Sequence, residues 1–208
     1  MLDNSLTAEL KYVTFSTSLG WVGILGSAKG LLHTTIPQPS AEEAHHLLGD
    51  KVNYATWSPQ PFNDLKERLK VYLTGRKVAF PDKLDLSGAT AFQRAVWKVT
   101  RLIPYGETRS YAWVAEQIKR PGAARAVGQA LSRNPLPIII PCHRLVASHG
   151  KLGGYSGGVD MKKRLLQLEG AARTRKSSLY IDGEHLLVEN LCFPRSFILH
   201  GYVGFARL

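Results

Sequence analysis

The tetrapeptide Pro141-Cys142-His143-Arg144 holds the residue types best suited to covalent chemistry in this chain. The nucleophilic form of cysteine is the thiolate, yet a thiol with an ordinary pKa of about 8.5 is only a few per cent ionised at neutral pH. A base or a fixed positive charge favours the thiolate, and His143 and Arg144 offer both. The alternative is a small, buried, unreactive residue, as most lone cysteines are. The pattern predicts that Cys142 is a nucleophile.

Two segments downstream offer partners for such a site. Residues 150–158 form a glycine-rich loop that contains Tyr155 and Ser156. The loop lacks the residue order of a phosphate-binding loop, so we expect either a flexible turn or a lid over a planar ligand. Glu169 falls at the end of a predicted helix over 160–169, where the helix dipole disfavours an anion. Glu169 therefore needs a partner, and His143 is the candidate.

Three predicted helices lead up to the reactive segment. Apolar spacing predicts helices over 91–102, 111–118 and 123–133. The first has an apolar face that includes Leu102, and Ser110 caps the second. A helix, a short turn and then a basic helix, over 111–133, outline a helix-turn-helix unit. The apolar run 138–140 predicts a buried strand or extended segment that delivers Cys142.

The third helix is crowded with small residues, namely Ala123, Ala124, Ala126, Gly128 and Ala130. Such residues permit either tight packing on a neighbouring helix or close approach to a groove of DNA. No acidic residue lies between 117 and 133, whereas Lys119, Arg120, Arg125 and Arg133 do. This excess of positive charge favours close approach to DNA over packing on a neighbouring helix.

The N-terminal region has a different pattern. Residues 10–35 alternate apolar and polar positions between glycines and predict strands joined by tight turns. A short helix follows Ser40 and ends at Gly49, and a second covers 61–74. Residues 76–90 predict a linker with one short strand. We therefore expect an N-terminal α/β domain over 1–88, a DNA-binding domain over 89–170 and a C-terminal extension over 171–208.

The basic charge is concentrated in one region. Residues 86–176 contain sixteen Lys or Arg and four acidic residues, whereas residues 1–85 contain nine of each. Concentrated positive charge displaces counterions from phosphates, which favours a nucleic-acid partner over a solvated basic surface. Hydrophobic residues make up 44% of the chain. It has two cysteines, which are too few for a disulfide framework. Without a signal peptide or membrane-length apolar run, we expect an intracellular protein.

Six ordered motifs resemble the methylated-DNA–protein-cysteine methyltransferases, also called 6-O-alkylguanine-DNA alkyltransferases. They are Tyr105-Gly106-Glu107 with Ser110-Tyr111, the run 123–128, Asn134-Pro135, the segment 140–144, the loop 153–158 and Leu168-Glu169-Gly170. The resemblance is strong over 90–170 and weak over 10–85. It implies an α+β fold, with a small N-terminal α/β domain of ribonuclease-H-like layout and a helical domain of winged helix-turn-helix type.

The resemblance also implies a reaction and its residues. The alkyl group would move once and irreversibly from the 6-oxygen of guanine, and from the 4-oxygen of thymine, to Cys142. His143 would act as base through a water, Glu169 would orient it, Asn134 would hold the turn, and Tyr111 would protonate the guanine. Arg125 would replace the flipped nucleotide. Further contacts implied for DNA are Tyr111, Arg120, Ala124, Gly128 and Ser148, and those for the base are Pro137, Val146, Tyr155 and Ser156.

The implied protein needs no cofactor or metal, binds double-stranded DNA containing alkylated guanine, does not bind membranes and is a monomer. It would lie in the cytoplasm of a prokaryote or the nucleus of a eukaryote. Three alternatives remain: a non-catalytic damage binder, which would lack the acceptor cysteine; a transcriptional regulator, which would need a further module; and a thiol hydrolase that turns over. The apolar extension 171–208, with Cys192, is not explained by the resemblance.

Overall fold

A computed structural model describes residues 9–147 and 151–171 of the chain. Ser148 and residues 172–208 of the extension, with Cys192, lie outside those ranges. A four-stranded sheet opens the chain, with β1 at Lys11–Thr17, β2 at Gly20–Ser27, β3 at Gly30–Thr34 and β4 at Thr56–Trp57. The strand order is β3-β2-β1-β4, antiparallel except for the parallel pair of β1 and β4. The predicted N-terminal strands are confirmed.

Two helices flank this sheet. Helix α1 spans Ala41–His46, and the Ser40 side chain accepts a hydrogen bond from the Glu43 backbone N–H, as expected of an N-cap. Helix α2 spans Asn63–Tyr72 and buries Leu65, Leu69 and Tyr72. Residues 76–90 contact β3 through a single bridge between Leu31 and Leu84, so the short strand predicted there was wrong.

The second half is helical. Helix α3 spans Ala91–Thr100, α4 Tyr111–Gln117, α5 Ala124–Ser132 and α6 Val159–Leu168, with a small parallel pair of β5 at Arg109–Ser110 and β6 at Leu145–Val146. Ser110 caps α4 as predicted. Helix α3 carries a capping box formed by Thr90 and Gln93. Since α3 ends at Thr100, Leu102 points to solvent with 70% exposure and Ile103 enters the core. The apolar role predicted for Leu102 was wrong.

The turn between α4 and α5 gives the predicted helix-turn-helix outline. Lys119 adopts a left-handed φ of 57°, and its N–H and that of Arg120 donate to the carbonyls of Glu116 and Ala115. These two hydrogen bonds close the C-terminal end of α4. Trp97 Nε1 on α3 donates to the Ala130 carbonyl at 3.0 Å, which fixes α5 against α3.

One apolar core continues from the sheet into the helices. Val22 and Ile24 of β2, Tyr72 of α2, and Val96 and Val127 of α3 and α5 belong to the same buried cluster. The mixed α+β class is confirmed, while the boundary at residue 88 stays a prediction. In the described ranges, no helix is long and apolar enough to cross a membrane.

Candidate active site

A tight turn connects α5 to Cys142 and positions that residue. Asn134 Oδ1 accepts from the Leu136 N–H at 3.0 Å, and Asn134 Nδ2 lies 2.9 Å from the Ile140 carbonyl and 3.1 Å from Cys142 Sγ. Ile138 has a φ of 73°, which is rare for a β-branched residue and is sustained by its surroundings. Residues 138–140 are buried as predicted, but they form this turn and not a strand.

The β-sheet half supports the same turn from outside. The Thr34 N–H donates to the Pro135 carbonyl at 2.9 Å, and Thr34 Oγ1 donates to the Pro137 carbonyl at 3.1 Å. Residues Cys142–Arg144 then form one turn of 3₁₀-helix, which turns successive side chains in different directions. The turn that leads to Cys142 is thus held by contacts from both halves of the protein.

Cys142 is a buried thiol, with 6% exposure. Burial raises its pKa, and the hydrogen bond from Asn134 and the positive charge of Lys162 act against that rise. A buried thiol that reaches a cavity is protected until a ligand arrives, and it then needs a base to become a thiolate.

Arg144 does not serve the thiol as the sequence suggested. Its Nε lies 2.9 Å from Glu169 Oε2, its Nη2 lies 2.9 Å from Glu169 Oε1, and its Nη1 donates to the Ile103 carbonyl at 2.6 Å. Because these partners occupy the guanidinium, the expectation that Arg144 directly favours the Cys142 thiolate was wrong. The charge that does so comes from Lys162.

Glu169 is the centre of a buried polar network. Its side chain is 0% exposed and accepts from His143, Arg144, Tyr72 and the Gly106 backbone N–H. Burial alone would raise its pKa, but the hydrogen bonds from His143 and Arg144 overcome this and lower the pKa to about 2. Glu169 is therefore a carboxylate at neutral pH, and the predicted pairing with His143 is present in the structure.

The backbone permits this network at Gly106. Its φ is 79°, and a Cβ there would lie 2.9 Å from the Glu169 carbonyl oxygen. A glycine both adopts the left-handed conformation without strain and lets its N–H approach Glu169 Oε2 to 3.1 Å.

His143 is fully buried, which favours its neutral form. Its Nε2 lies 2.8 Å from Glu169 Oε1, and burial lowers its pKa against the opposing effect of Glu169. Since an ionised carboxylate only accepts hydrogen bonds, Nε2 carries the proton. The other ring nitrogen, Nδ1, has no hydrogen-bond partner among the described residues. Its lone pair is available to take a proton.

A cavity of about 650 Å³ opens beside Cys142. One wall comes from Tyr111 and from α5, through Ala124, Arg125 and Gly128. The glycine-rich loop also lines the cavity, through Gly153, Gly154, Tyr155 and Ser156. Cys142, Arg125 of α5 and the glycine-rich loop therefore meet in one place.

The small residues of α5 are divided between its two faces: Ala126 is exposed and Gly128 is half-buried, whereas Ala130 belongs to the core. Val127, Ala130 and Leu131 are buried, whereas Arg125 and Ala126 are exposed. A Cβ added at Gly128 would meet nothing within 4 Å. Tight packing on a neighbouring helix is thus not the reason for the small residue at 128, and the open face is left for an external partner.

These features agree with the comparisons with known proteins. The family model described as "6-O-methylguanine DNA methyltransferase, DNA binding domain" matches residues 91–171. The methylated-DNA–protein-cysteine methyltransferase of Mycobacterium tuberculosis is 51% identical over 115 residues, which cover 54% of this chain and 69% of that protein. The chain belongs to this family.

Other methylated-DNA–protein-cysteine methyltransferases extend the match over most of the described chain. The one from Methanosarcina barkeri is 39% identical over 158 residues, covering 76% of this chain and 96% of its own. The crystal structure of M. tuberculosis OGT in complex with DNA has a TM-score of 0.66 and 40% identity, covering 77% of this chain and 93% of that one. The N-terminal half, where the sequence resemblance was weak, is thereby included.

Several residues expected from the family lie at or near the cavity. Tyr111 lines it, and its hydroxyl faces the Gly154 carbonyl at 3.4 Å. Arg120 is exposed next to the helix-turn-helix turn. Pro137 and Val146 are not among the lining residues, because the Pro137 carbonyl is held by Thr34 and Val146 pairs with Ser110 in the small sheet. Their contact with the base stays a prediction.

Two residues of the site were missed from the sequence. Lys162 is fully buried; its Nζ donates to the Leu152 carbonyl and lies 5.9 Å from the Tyr111 ring centroid. Burial lowers its pKa to about 8, opposed by Cys142. Helical spacing places Lys162 on the same face as Leu165, Leu166 and Glu169, a signal that was available. Tyr72 is buried on the same side of α2 as Leu65 and Leu69, but its polar partners come from the other half.

Proposed function

We propose that this chain repairs alkylated DNA by moving an alkyl group from the 6-oxygen of guanine to Cys142, once and irreversibly. The observation that carries the proposal is the cavity that joins Cys142 to the basic helix α5, backed by the buried His143–Glu169 pair. Membership of a family whose curated members are named methylated-DNA–protein-cysteine methyltransferases supports the same reaction.

The chemistry requires one bond to form and one to break. The Cys142 sulfur attacks the saturated alkyl carbon, the carbon–oxygen bond to guanine breaks, and its electron pair stays on the guanine oxygen. His143 Nδ1 takes the thiol proton through a water, and Glu169 stabilises the resulting imidazolium. Tyr111 supplies a proton to the departing guanine. The product is a thioether, which water does not readily hydrolyse, so each chain reacts once. These steps need no cofactor.

The target carbon is out of reach inside a base stack, so the nucleotide must leave it. Extrusion costs a few kcal/mol, and an inserted side chain offsets part of that loss. Arg125 is exposed, borders the cavity and projects from the open face of α5. We assign it the space left by the flipped nucleotide, with Ala124 and Gly128 allowing α5 to lie close in the minor groove.

The flipped base would lie between α5 and the glycine-rich loop. Tyr155 and Ser156 line that wall, and Pro137 and Val146 are proposed to contribute backbone contacts. Arg120 and Ser148 would contact the DNA backbone, where positive and polar groups set the register of binding. The 4-oxygen of thymine presents the same alkyl chemistry and is proposed as a second substrate atom. Since its substrate is DNA, we place the protein inside the cell.

The alternatives fit less well. A non-catalytic damage binder would not need an acceptor cysteine with a buried histidine–carboxylate pair behind it. A turnover hydrolase would need a water-labile thioester and an oxyanion hole, whereas the product here is a thioether. A transcriptional regulator would need a further module in addition to the alkyltransferase fold.

Intact-protein mass spectrometry tests the proposal. The protein is mixed with a duplex containing one 6-O-methylguanine, and a Cys142→Ala variant is the matched control. We expect a gain of one methylene per chain, mapped by peptide digestion to Cys142 and not Cys192, with no gain in the variant. Tight binding without a mass change would identify a damage binder, and continued turnover beyond one equivalent would identify a catalytic hydrolase.

A further inference from the structure

Tyr72 lies in helix α2, in the half of the protein opposite the nucleophile, yet its hydroxyl enters the active-site network. The residue is 1% exposed. Its hydroxyl donates to Glu169 Oε1 at 2.6 Å and lies 3.1 Å from His143 Nε2. The three side chains form a closed triangle around one carboxylate oxygen.

The triangle has one consistent assignment of protons. Glu169 is ionised and accepts only, so the single Tyr72 proton points to Glu169 Oε1. The Tyr72 oxygen then turns a lone pair to His143 Nε2, which must carry a proton and has two acceptors, at 2.8 and 3.1 Å. The opposite tautomer would place an Nε2 lone pair against both the carboxylate and the tyrosine oxygen. It is therefore excluded by repulsion.

We propose that Tyr72 is a positioning residue, which holds Glu169 and fixes the His143 tautomer so that Nδ1 is the basic nitrogen. The inference rests on the proposed function, because it gives Nδ1 the role of proton acceptor for Cys142. It also makes the β-sheet half a direct contributor to reactivity, through one hydroxyl group on α2.

The charged surroundings determine what removal of that hydroxyl does. Facing His143 are Glu169 after α6, Arg144 from its own turn, Lys162 on α6 and Tyr72 on α2. Arg144 and Lys162 oppose the imidazolium, and Glu169 favours it. Without the Tyr72 donor, the Glu169 carboxylate presents more uncompensated charge to Nε2. The charged imidazolium form of His143 is then favoured before the reaction, and a smaller fraction of His143 is neutral at a given pH.

The experiment compares single-turnover alkylation rates of Tyr72→Phe and wild type on the 6-O-methylguanine duplex between about pH 5 and 9, the range in which His titrates. We expect the acidic limb of the profile to move to higher pH and the rate on that limb to fall about ten-fold, the value of one hydrogen bond to a charged group. DNA affinity should not change.

Tyr105→Phe is the matched control. Tyr105 is a neighbouring tyrosine, with ring centroids 6.1 Å apart, and its hydroxyl donates to the carbonyls of Gly75 and Leu168. It thus joins the same halves without a hydrogen bond to Glu169 or His143. We expect it to lower the thermal midpoint while leaving the pH profile in place.

Imidazole ¹⁵N spectra of the wild-type protein test the same point without a mutation. We expect His143 to be neutral with its proton on Nε2; a proton on Nδ1 would overturn the inference. So would an unshifted pH profile in folded Tyr72→Phe, or an equal shift in Tyr105→Phe. Failure of the proposed function is distinct, since the wild type would then show no methylene gain on Cys142.

Discussion

Replacement of Glu169 by Gln should cost about 3 kcal/mol of the free energy of unfolding at neutral pH. The pKa of Glu169 is lowered from 4.5 to about 2, and each pKa unit corresponds to about 1.4 kcal/mol. Removal of one partner from a buried ion pair costs about 3–5 kcal/mol by an independent route. A glutamine amide would also bring N–H donors against those of Arg144 and Gly106.

Urea unfolding at two pH values is the assay. The folded-state pKa is depressed, so the carboxylate contributes its full stability above about pH 5 and loses it as the pH falls towards 2. We expect the unfolding midpoint of Glu169→Gln to lie roughly 1–2 M urea below that of wild type at pH 7. The gap should narrow as the pH falls below about 4.

Glu107→Gln is the control for this experiment. Glu107 pairs with Arg109 at 2.6 Å, but its side chain is 44% exposed. Exposed pairs contribute about 0–1 kcal/mol, so the control should barely move the midpoint. If Glu169→Gln loses as little as the control, or loses the same amount at pH 7 and pH 4, the buried carboxylate is not the stabilising centre that the structure indicates.

Three further predictions concern reactivity and DNA. Arg125→Ala should slow repair in duplex DNA by about ten-fold while sparing reaction with the free alkylated base, because flipping costs a few kcal/mol only in the duplex; equal losses in a rate assay on both substrates would remove the flipping role. Lys162→Met should raise the pKa of the Cys142 thiol and slow its alkylation by iodoacetamide near pH 7, since Lys162 opposes the effect of burial on Cys142; an unchanged thiol titration would contradict this. DNA affinity, measured by fluorescence anisotropy, should fall steeply with salt, and a flat response would contradict the basic surface.

Local patterns in the sequence predicted elements well where the cause of the structure was also local. Ser40 and Ser110 cap their helices because the cap bond spans three residues. The His143–Glu169 pair followed from the position of Glu169 at the end of a helix, where an anion needs a partner, whereas the role of Asn134 in the turn followed from the family motifs. The prediction that Leu102 is buried was wrong because an apolar residue at the end of a helix can point either to the core or to solvent. Here Thr100 occupies the core, and Leu102 points to solvent.

The active-site network could not be predicted in full because its partners are far apart in the chain. Tyr72 and Glu169 are separated by 97 positions, and no periodicity in α2 indicates what a buried hydroxyl will contact. Arg144 was assigned to the nearest reactive group along the chain, whereas its guanidinium reaches Glu169 and Ile103 in space. Long-range pairing of polar groups was the information that the sequence lacked.

The continuous core has a consequence for how such a chain can evolve. Val22 and Ile24 of the sheet share one buried cluster with Val96 and Val127 of the helical half. A recombination event near residue 88 would therefore exchange half of a hydrophobic interface along with half of a gene. Hybrids would keep this core only if both halves carried matching apolar surfaces, and they would keep the hydrogen bond to Glu169 only if position 72 were a tyrosine. The helical half therefore cannot be exchanged on its own without a sheet half that matches its apolar surface.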